Sequence, residues 1–400
     1  MKKICLFVSI IFLSTFHLAH GKVMLGIEVL ESEQCLSLKG KRIGLITNST
    51  GRNSRGVRTI DILHRSPNVQ LVALFTPEHG LSGLVEHGKN IGDSQDAKTG
   101  LPVYSLYGKT QRPTAAMLAG LDALVFDIQD IGARFYTYVT TLAYALEEAS
   151  KHNLEFIVLD RPNPINGEIV EGEILDLGIN HFTAYLHVPM RHGMTAGEIA
   201  QWHNATAKLN AKLTVIKMQG WQRSMWWDQT GLKFRATSPN IRTLEAASLY
   251  PGIGAFEATN VAVGRGTGTP FARIGAPWIN SDELLERLNF NYLDGFEFEK
   301  TSFKPKADIY KGKLCHGVKI KLKDRENARP INLFIDLMFI LNDLYPKTFA
   351  PRWEEVKLVT GSDLLKEKML AKQSAQEVNV IFRDHAEQFK TERKPYLLYE

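Results

Sequence analysis

From Lys41 onward, short apolar runs end in polar clusters. Arg42-Ile43-Gly44-Leu45-Ile46 runs into Thr47-Asn48-Ser49-Thr50-Gly51. Residues 69–75 run into Thr76-Pro77-Glu78-His79-Gly80, and residues 121–126 into Asp127-Ile128-Gln129-Asp130. Residues 156–159 run into Asp160-Arg161-Pro162-Asn163-Pro164. Between the runs, Val57, Ile60, Ile62 and Leu63 suit one helix, and residues 138–149 predict another. Continuous apolar runs of strand length, separated by helices, indicate parallel strands buried on both faces. The expected class is therefore α/β, with a doubly wound parallel sheet. Thr195-Ala196-Gly197-Glu198 has the form of a capping box and predicts a helix to about Lys208, with a further strand over 213–218.

Beyond about Pro239 the pattern changes. Glycine becomes dense and periodicity weak, which predicts a structured loop region. A second α/β unit follows, with a helix over 281–288, strands near 296–303 and 317–322, and a helix over 332–344. Lys319, Lys321 and Lys323 alternate with Val318, Ile320 and Leu322, the pattern of a strand with one wet face. Residues from 364 onward read as helical and polar. The expected division is a leader over 1–21, an α/β domain over 22–240 and a smaller domain over 241–400.

Composition narrows the class. The chain has 400 residues, 44% hydrophobic and 23% charged, which excludes disordered, collagen-like and disulfide-scaffold proteins. Its long apolar run, residues 4–16, follows Lys2 and Lys3 and precedes Ala19-His20-Gly21, the arrangement of a secretory signal. The expectation is an exported protein, periplasmic or extracellular, not integral to the membrane after cleavage. The formal charge of +5 gathers into no basic stripe, so no nucleic-acid partner is expected. Cys35 and Cys315 have no CxxC partner and no metal-ligand spacing, and read as buried thiols.

In an open parallel sheet the ligand crevice lies beyond the carboxyl ends of the strands. That rule brings Asn48, Glu78, His79, Asp127, Gln129, Asp130 and Asp160 to one edge. Glu78 suits a general acid whose pKa is raised by burial, or a carboxylate receiving backbone N–H groups. Asp127 and Asp130 suit paired acid–base work, although Arg134, four residues after Asp130, also suits a structural ion pair. Tyr136 and Tyr138 suit sugar stacking or core packing, as do Trp221, Trp226 and Trp227. His192 precedes a helix start. Gly264-Arg265-Gly266-Thr267-Gly268 lacks the Walker lysine; it forms a turn pair or lets backbone approach a ligand, and Arg265 could grip a carboxylate. No GxGxxG follows a strand and no GxSxG occurs, so neither a dinucleotide cofactor nor a serine nucleophile is supported.

These clusters together resemble the bacterial exo-β-N-acetylmuramidase (NamZ-type) hydrolases. The resemblance rests on GKRIGLITNSTG at 40–51, LFTPEHGLSG at 74–83, TGLPVYSLYG at 99–108 and FDIQDIGARFYTY at 126–138. It continues through LDRPNPINGEIVEGEILD at 159–176, PMRHGMTAGEIA at 189–200, SPNIRTLEAASLYPG at 238–252, FEATNVAVGRGTGTPFARIGAPW at 256–278 and the closing PYLLYE. The chain departs from the family pattern at Ala258, at Ala262-Val263-Gly264 and over 84–89.

The resemblance implies a Rossmann-like domain, a smaller C-terminal domain and an active-site cleft between them. It also implies release of terminal N-acetylmuramic acid from peptidoglycan-derived muropeptides or disaccharides, with Glu78 as the catalytic glutamate. On that reading His79 and Asp127 tune Glu78. Asp130 activates a water, or the substrate's own 2-acetamido oxygen replaces it. Arg134 or Arg265 holds the lactyl carboxylate, and Tyr136 flanks the sugar. Asn48, Gln129, Asn163, His192 and Asn260 bind its hydroxyls and acetamide. No metal or organic cofactor is expected. The rival expectations are a non-catalytic cell-wall binding protein and a lyase that cleaves the same bond by elimination.

Overall fold

The apolar runs become the centre of a seven-stranded sheet. The computed structural model describes residues 22–86, 88–89, 91–291 and 293–400, so the expected signal segment and His87 lie outside the described residues. The strands are β1 (Arg42–Thr47), β2 (Gln70–Thr76), β3 (Ser94–Gln95), β4 (Pro102–Ser105), β5 (Ala123–Asp127) and β6 (Glu155–Leu159). They continue with β7 (Glu171–Ile174), β8 (Pro189–Arg191), β9 (Lys212–Ile216), β10 (Arg273–Ala276), β11 (Phe296–Phe303) and β12 (Cys315–Leu322). The central order is β3-β4-β2-β1-β5-β6-β9, and only the two-residue β3 runs antiparallel. The chain travels outward from β1 through β2 to β4, then crosses to β5 and travels the other way. The direction reverses between β1 and β5.

Alternating side chains of these strands feed two cores. Ile43, Leu45, Leu74 and Val125 pack on one face. Ile46, Phe75, Phe126 and Phe156 pack on the other, under the helices Tyr138–Lys151 and Ala196–Thr206. The capping box forms in full: Thr195 Oγ1 accepts from Glu198 N, and Glu198 Oε2 accepts from Thr195 N.

The second core is continuous with the C-terminal unit and extends to Phe256, Phe334 and Phe389. The sheet of that unit is antiparallel, ordered β10-β12-β11. Lys321 and Lys323 on its wet face pair with Glu299 and Glu297 of the neighbouring strand. The helix Ser281–Phe290 packs against it, and the helices Leu244–Ile253, Pro330–Leu344 and Ala375–Glu392 extend the same core. A Cβ at Gly252 would sit 1.8 Å from the Pro330 carbonyl oxygen, so backbone meets backbone where two of these helices cross.

Two sequence readings are refined here. Trp221, Trp226 and Trp227 are all buried, which removes them as a sugar-facing surface. Trp227 N donates to Pro164 O, and Trp226 bridges Ile165, so this loop folds over the end of β6. Cys35 and Cys315 are buried free thiols, and burial pushes both pKa values up.

Candidate active site

The carboxyl end of β2 opens into a cavity. Its volume is about 420 Å³, and its walls come from both sheet-bearing units. β2 stops at Thr76, and the backbone then turns sharply through His79 (φ +72°) and Gly80 (φ +70°). This turn carries Glu78 to the cavity with only 4% of its surface exposed. Thr137, just before the helix Tyr138–Lys151, donates its hydroxyl to Glu78 Oε2 at 2.8 Å. Tyr107 lies beside the same carboxyl. Burial pushes its phenol up to about 12, reinforced by the charge of Glu78 and a hydrogen bond to it. His79 Nδ1 stands 2.6 Å from Val85 O.

Aromatic rings form much of the remaining wall. Tyr136 meets Tyr138 and Tyr250 edge to face, at centroid distances of 4.8 and 5.6 Å. Its hydroxyl donates to Thr237 Oγ1 at 2.8 Å, and burial pushes its pKa upward. Across the cavity, Arg265 Nη2 meets Glu257 Oε2 at 2.9 Å, with the guanidinium 5.3 Å from the Phe271 ring centre. Burial opposes the charge on Arg265, and Glu257 outweighs it. Gly266 (φ +71°) fits because a Cβ there would meet Ala307 N at 2.4 Å. The glycine-rich segment is thus a turn against the 304–308 loop, and it presents Arg265. Ala258 and Val263, where the chain departs from the family pattern, both line the cavity.

Of the residues singled out in the sequence, Glu78, His79, Tyr136, Tyr138 and Arg265 come together here. The others are held elsewhere. Asp127 accepts from Arg161 Nε at 2.6 Å and Nη2 at 3.0 Å, and from the Thr59 hydroxyl. Asp130 accepts from Gly132 N at 2.6 Å and stands 3.4 Å from His192 Nε2. The Asp130–Arg134 pair expected from spacing does not form. Arg134 instead donates to the carbonyls of Glu173, Val188 and Val359 at 2.7–2.9 Å. It is 1% exposed, and burial pushes its guanidinium down to about 9.

Asn48 Oδ1 caps Thr50, and Gln129 Nε2 donates to Asp130 O and Pro162 O. Asn163 braces Ile165 N and Met194 O, and His192 Nδ1 accepts from Met194 N. Asn260 ties Thr348 O to Ala350 N. None of these eight residues lines the cavity. The tryptophan loop and residues 393–400 cover the ends of β6 and β9, while the side chains at the ends of β1 and β5 are held by neighbouring backbone and by Arg161.

Sequence reasoning overlooked Thr137, Glu257 and Tyr250. Thr137 stands in the FYTY segment, so its signal was adjacency to Tyr136 and Tyr138. Glu257 and Tyr250 lie in the aperiodic region and carried none. Among the described residues, no group of three His, Cys, Asp or Glu side chains is arranged to hold a metal ion.

Comparison with known proteins places this geometry. The family model described as exo-β-N-acetylmuramidase NamZ, N-terminal, matches residues 43–245, and its C-terminal counterpart matches residues 248–399. The peptidoglycan β-N-acetylmuramidase NamZ of Bacillus subtilis (strain 168) is 43% identical over 379 residues, covering 94% of this chain and 92% of that protein. Crystal structures of two DUF1343 family proteins of Bacteroides fragilis superpose with TM-scores of 0.89 and 0.76, at 38% and 31% identity. Each comparison covers 95% of this chain and 99% of the other. With both halves of the chain matched, the protein belongs to the exo-β-N-acetylmuramidase NamZ family.

Proposed function

We propose that this chain is an exo-acting glycoside hydrolase that releases terminal N-acetylmuramic acid from the non-reducing ends of peptidoglycan fragments. The observation that carries the reading is the buried Glu78 carboxyl, anchored by Thr137 in a cavity of about 420 Å³. That volume suits a small ligand. Glu78 protonates the glycosidic oxygen as the bond to the sugar carbon breaks with oxocarbenium character.

Asp130 lies outside the cavity, so the assignment of the second group passes to the substrate's 2-acetamido oxygen. This oxygen attacks the sugar carbon from the opposite face. Water then opens the cyclic intermediate, and the Glu78 carboxylate takes the water's proton. Arg265 supports recognition of the lactyl carboxylate, since guanidinium and carboxylate pair bidentately. Arg134 has no such role, because it lies outside the cavity with Nη1 and Nη2 held by carbonyls. The basic and apolar segments at 2–16 support export to the periplasm or the medium.

The test is mass spectrometry of a muramic acid–glucosamine disaccharide incubated with the protein and with Glu78→Gln. Free muramic acid carrying an added water, lost in the variant, is the expected result. A dehydrated product would assign a lyase. Retained binding with no turnover by either protein would assign a binding protein.

A further inference from the structure

A second crevice opens where the chain reverses its direction across the sheet, between the carboxyl ends of β1 and β5. Open parallel sheets bind ligands at such points. Thr50 and Gln129 contribute from the two strand ends, with Arg52, Lys233 and Arg235 around them. The space is about 30 Å³, which admits one small group and excludes a nucleotide.

The charges around it are unbalanced. Nearby, Arg58 is neutralised by Asp61 and Asp96, Arg161 by Asp127 and Arg55 by Glu31. Among the described residues, neither Arg52 nor Arg235 has a carboxylate within ion-pair distance. Arg52 is fixed in place, donating Nε to Ser49 O at 3.2 Å and Nη1 to Gly56 O at 2.9 Å. Arg235 reaches the same loop: a Cβ on Gly56, itself at φ +88°, would lie 3.0 Å from Arg235 Nη2. Burial lowers the Arg52 pKa, the charges of Arg235 and Arg58 lower it further, and the charge of Asp61 opposes them in part. Two guanidinium groups brought to one loop with no carboxylate in direct contact raise the free energy of the empty crevice, and an anion relieves it.

A separate observation concerns hydrogen bonding. Gln129 is 4% exposed, and its Oε1 is buried with no hydrogen-bond partner among the described residues. Its Nε2 is already used by Asp130 O and Pro162 O, which fixes the amide. A buried acceptor left open in this way calls for a donor.

We propose that this crevice binds one phosphate or carboxylate group that carries a hydroxyl. Arg52 and Arg235 take the anionic oxygens, and Gln129 Oε1 accepts the hydroxyl. Two sources share this chemistry: a phosphate, and a 2-hydroxy acid. The site is independent of the muramidase reading, because its test measures binding and not turnover.

The experiment is isothermal titration calorimetry of the protein with inorganic phosphate and, separately, with lactate, at ionic strength fixed by sodium chloride. Saturable binding is expected, weakened about tenfold or more in Arg235→Gln through loss of charge-assisted hydrogen bonds. It is expected to be unaltered in Lys321→Ala, on a distant surface. Tighter phosphate binding assigns the first source and tighter lactate binding the second. No saturable heat from either anion, or equal affinity in Arg235→Gln, overturns the proposal. Arg235 makes no hydrogen bond or ion pair to the protein among the described residues, so its substitution should leave the fold intact; a thermal melt checks this. Lys233→Ala supplies a milder second variant, expected to weaken binding by less.

Discussion

At the scale of single residues, two arginines show how similar sequence signals separate in space. Arg134 and Arg265 both looked able to hold a carboxylate. Arg134 satisfies three buried carbonyls, so Arg134→Ala should cost on the order of 3 kcal/mol of stability, read as a large fall in Tm. Arg265 faces the cavity beside Glu257, so Arg265→Lys should raise KM for the disaccharide severalfold while Tm changes little. Thr137→Val removes the donor to Glu78 and should lower kcat about tenfold, with KM nearly constant in steady-state assays. Glu78 was legible because a strand end in a parallel sheet is where a ligand carboxyl belongs. Asp127 met the same criterion. Its partner Arg161 lies 34 residues away, and nothing in local spacing reveals that a salt bridge has claimed it. Residue type and strand end locate an edge; contacts decide which part of that edge is open.

At the scale of elements, legibility followed periodicity. The buried parallel strands stood out as apolar runs, and β11 and β12 by alternation. β10 did not: it has only four residues, within the glycine-dense segment, and no repeat long enough to read. The C-terminal sheet's antiparallel pairing was hidden for the same reason. The helix Leu244–Ile253 was also missed, since Pro251 and Gly252 speak against a helix. The structure explains the glycine, because the Pro330 carbonyl occupies the place of a side chain. Gly252→Ala should therefore destabilise the protein by on the order of 3 kcal/mol, despite the better helix propensity of alanine. Chemical denaturation checks it; a neutral or stabilising result would show that the helices separate at low cost.

At the scale of the whole molecule, residues 393–400 tie the two sheet-bearing units together over the covered strand ends. Arg393 Nη1 donates to Gly167 O at 2.9 Å, and Leu398 N donates to Glu198 Oε1 at 2.8 Å. Tyr399 donates its hydroxyl to Asp160 Oδ2 at 2.6 Å. Asp160 is fully buried. Burial raises its pKa to about 6, although hydrogen bonds from Tyr399, Gly197 and Thr195 oppose the rise. A carboxyl whose folded pKa exceeds its unfolded value binds protons more tightly in the folded state. Its stabilisation is complete below about pH 4 and is lost as pH rises through about 6. Tyr399→Phe removes a donor to the ionised form, so it should deepen that loss and lower stability at pH 7 by about 1–2 kcal/mol. Asp160→Asn cannot ionise and should flatten this part of the profile. Thermal melts of the three proteins between pH 4 and 7 separate these outcomes. Parallel profiles would mean that the segment holds the domain by packing alone, through the Trp221–Tyr399 ring contact at 5.0 Å, and that the Asp160 charge plays no part.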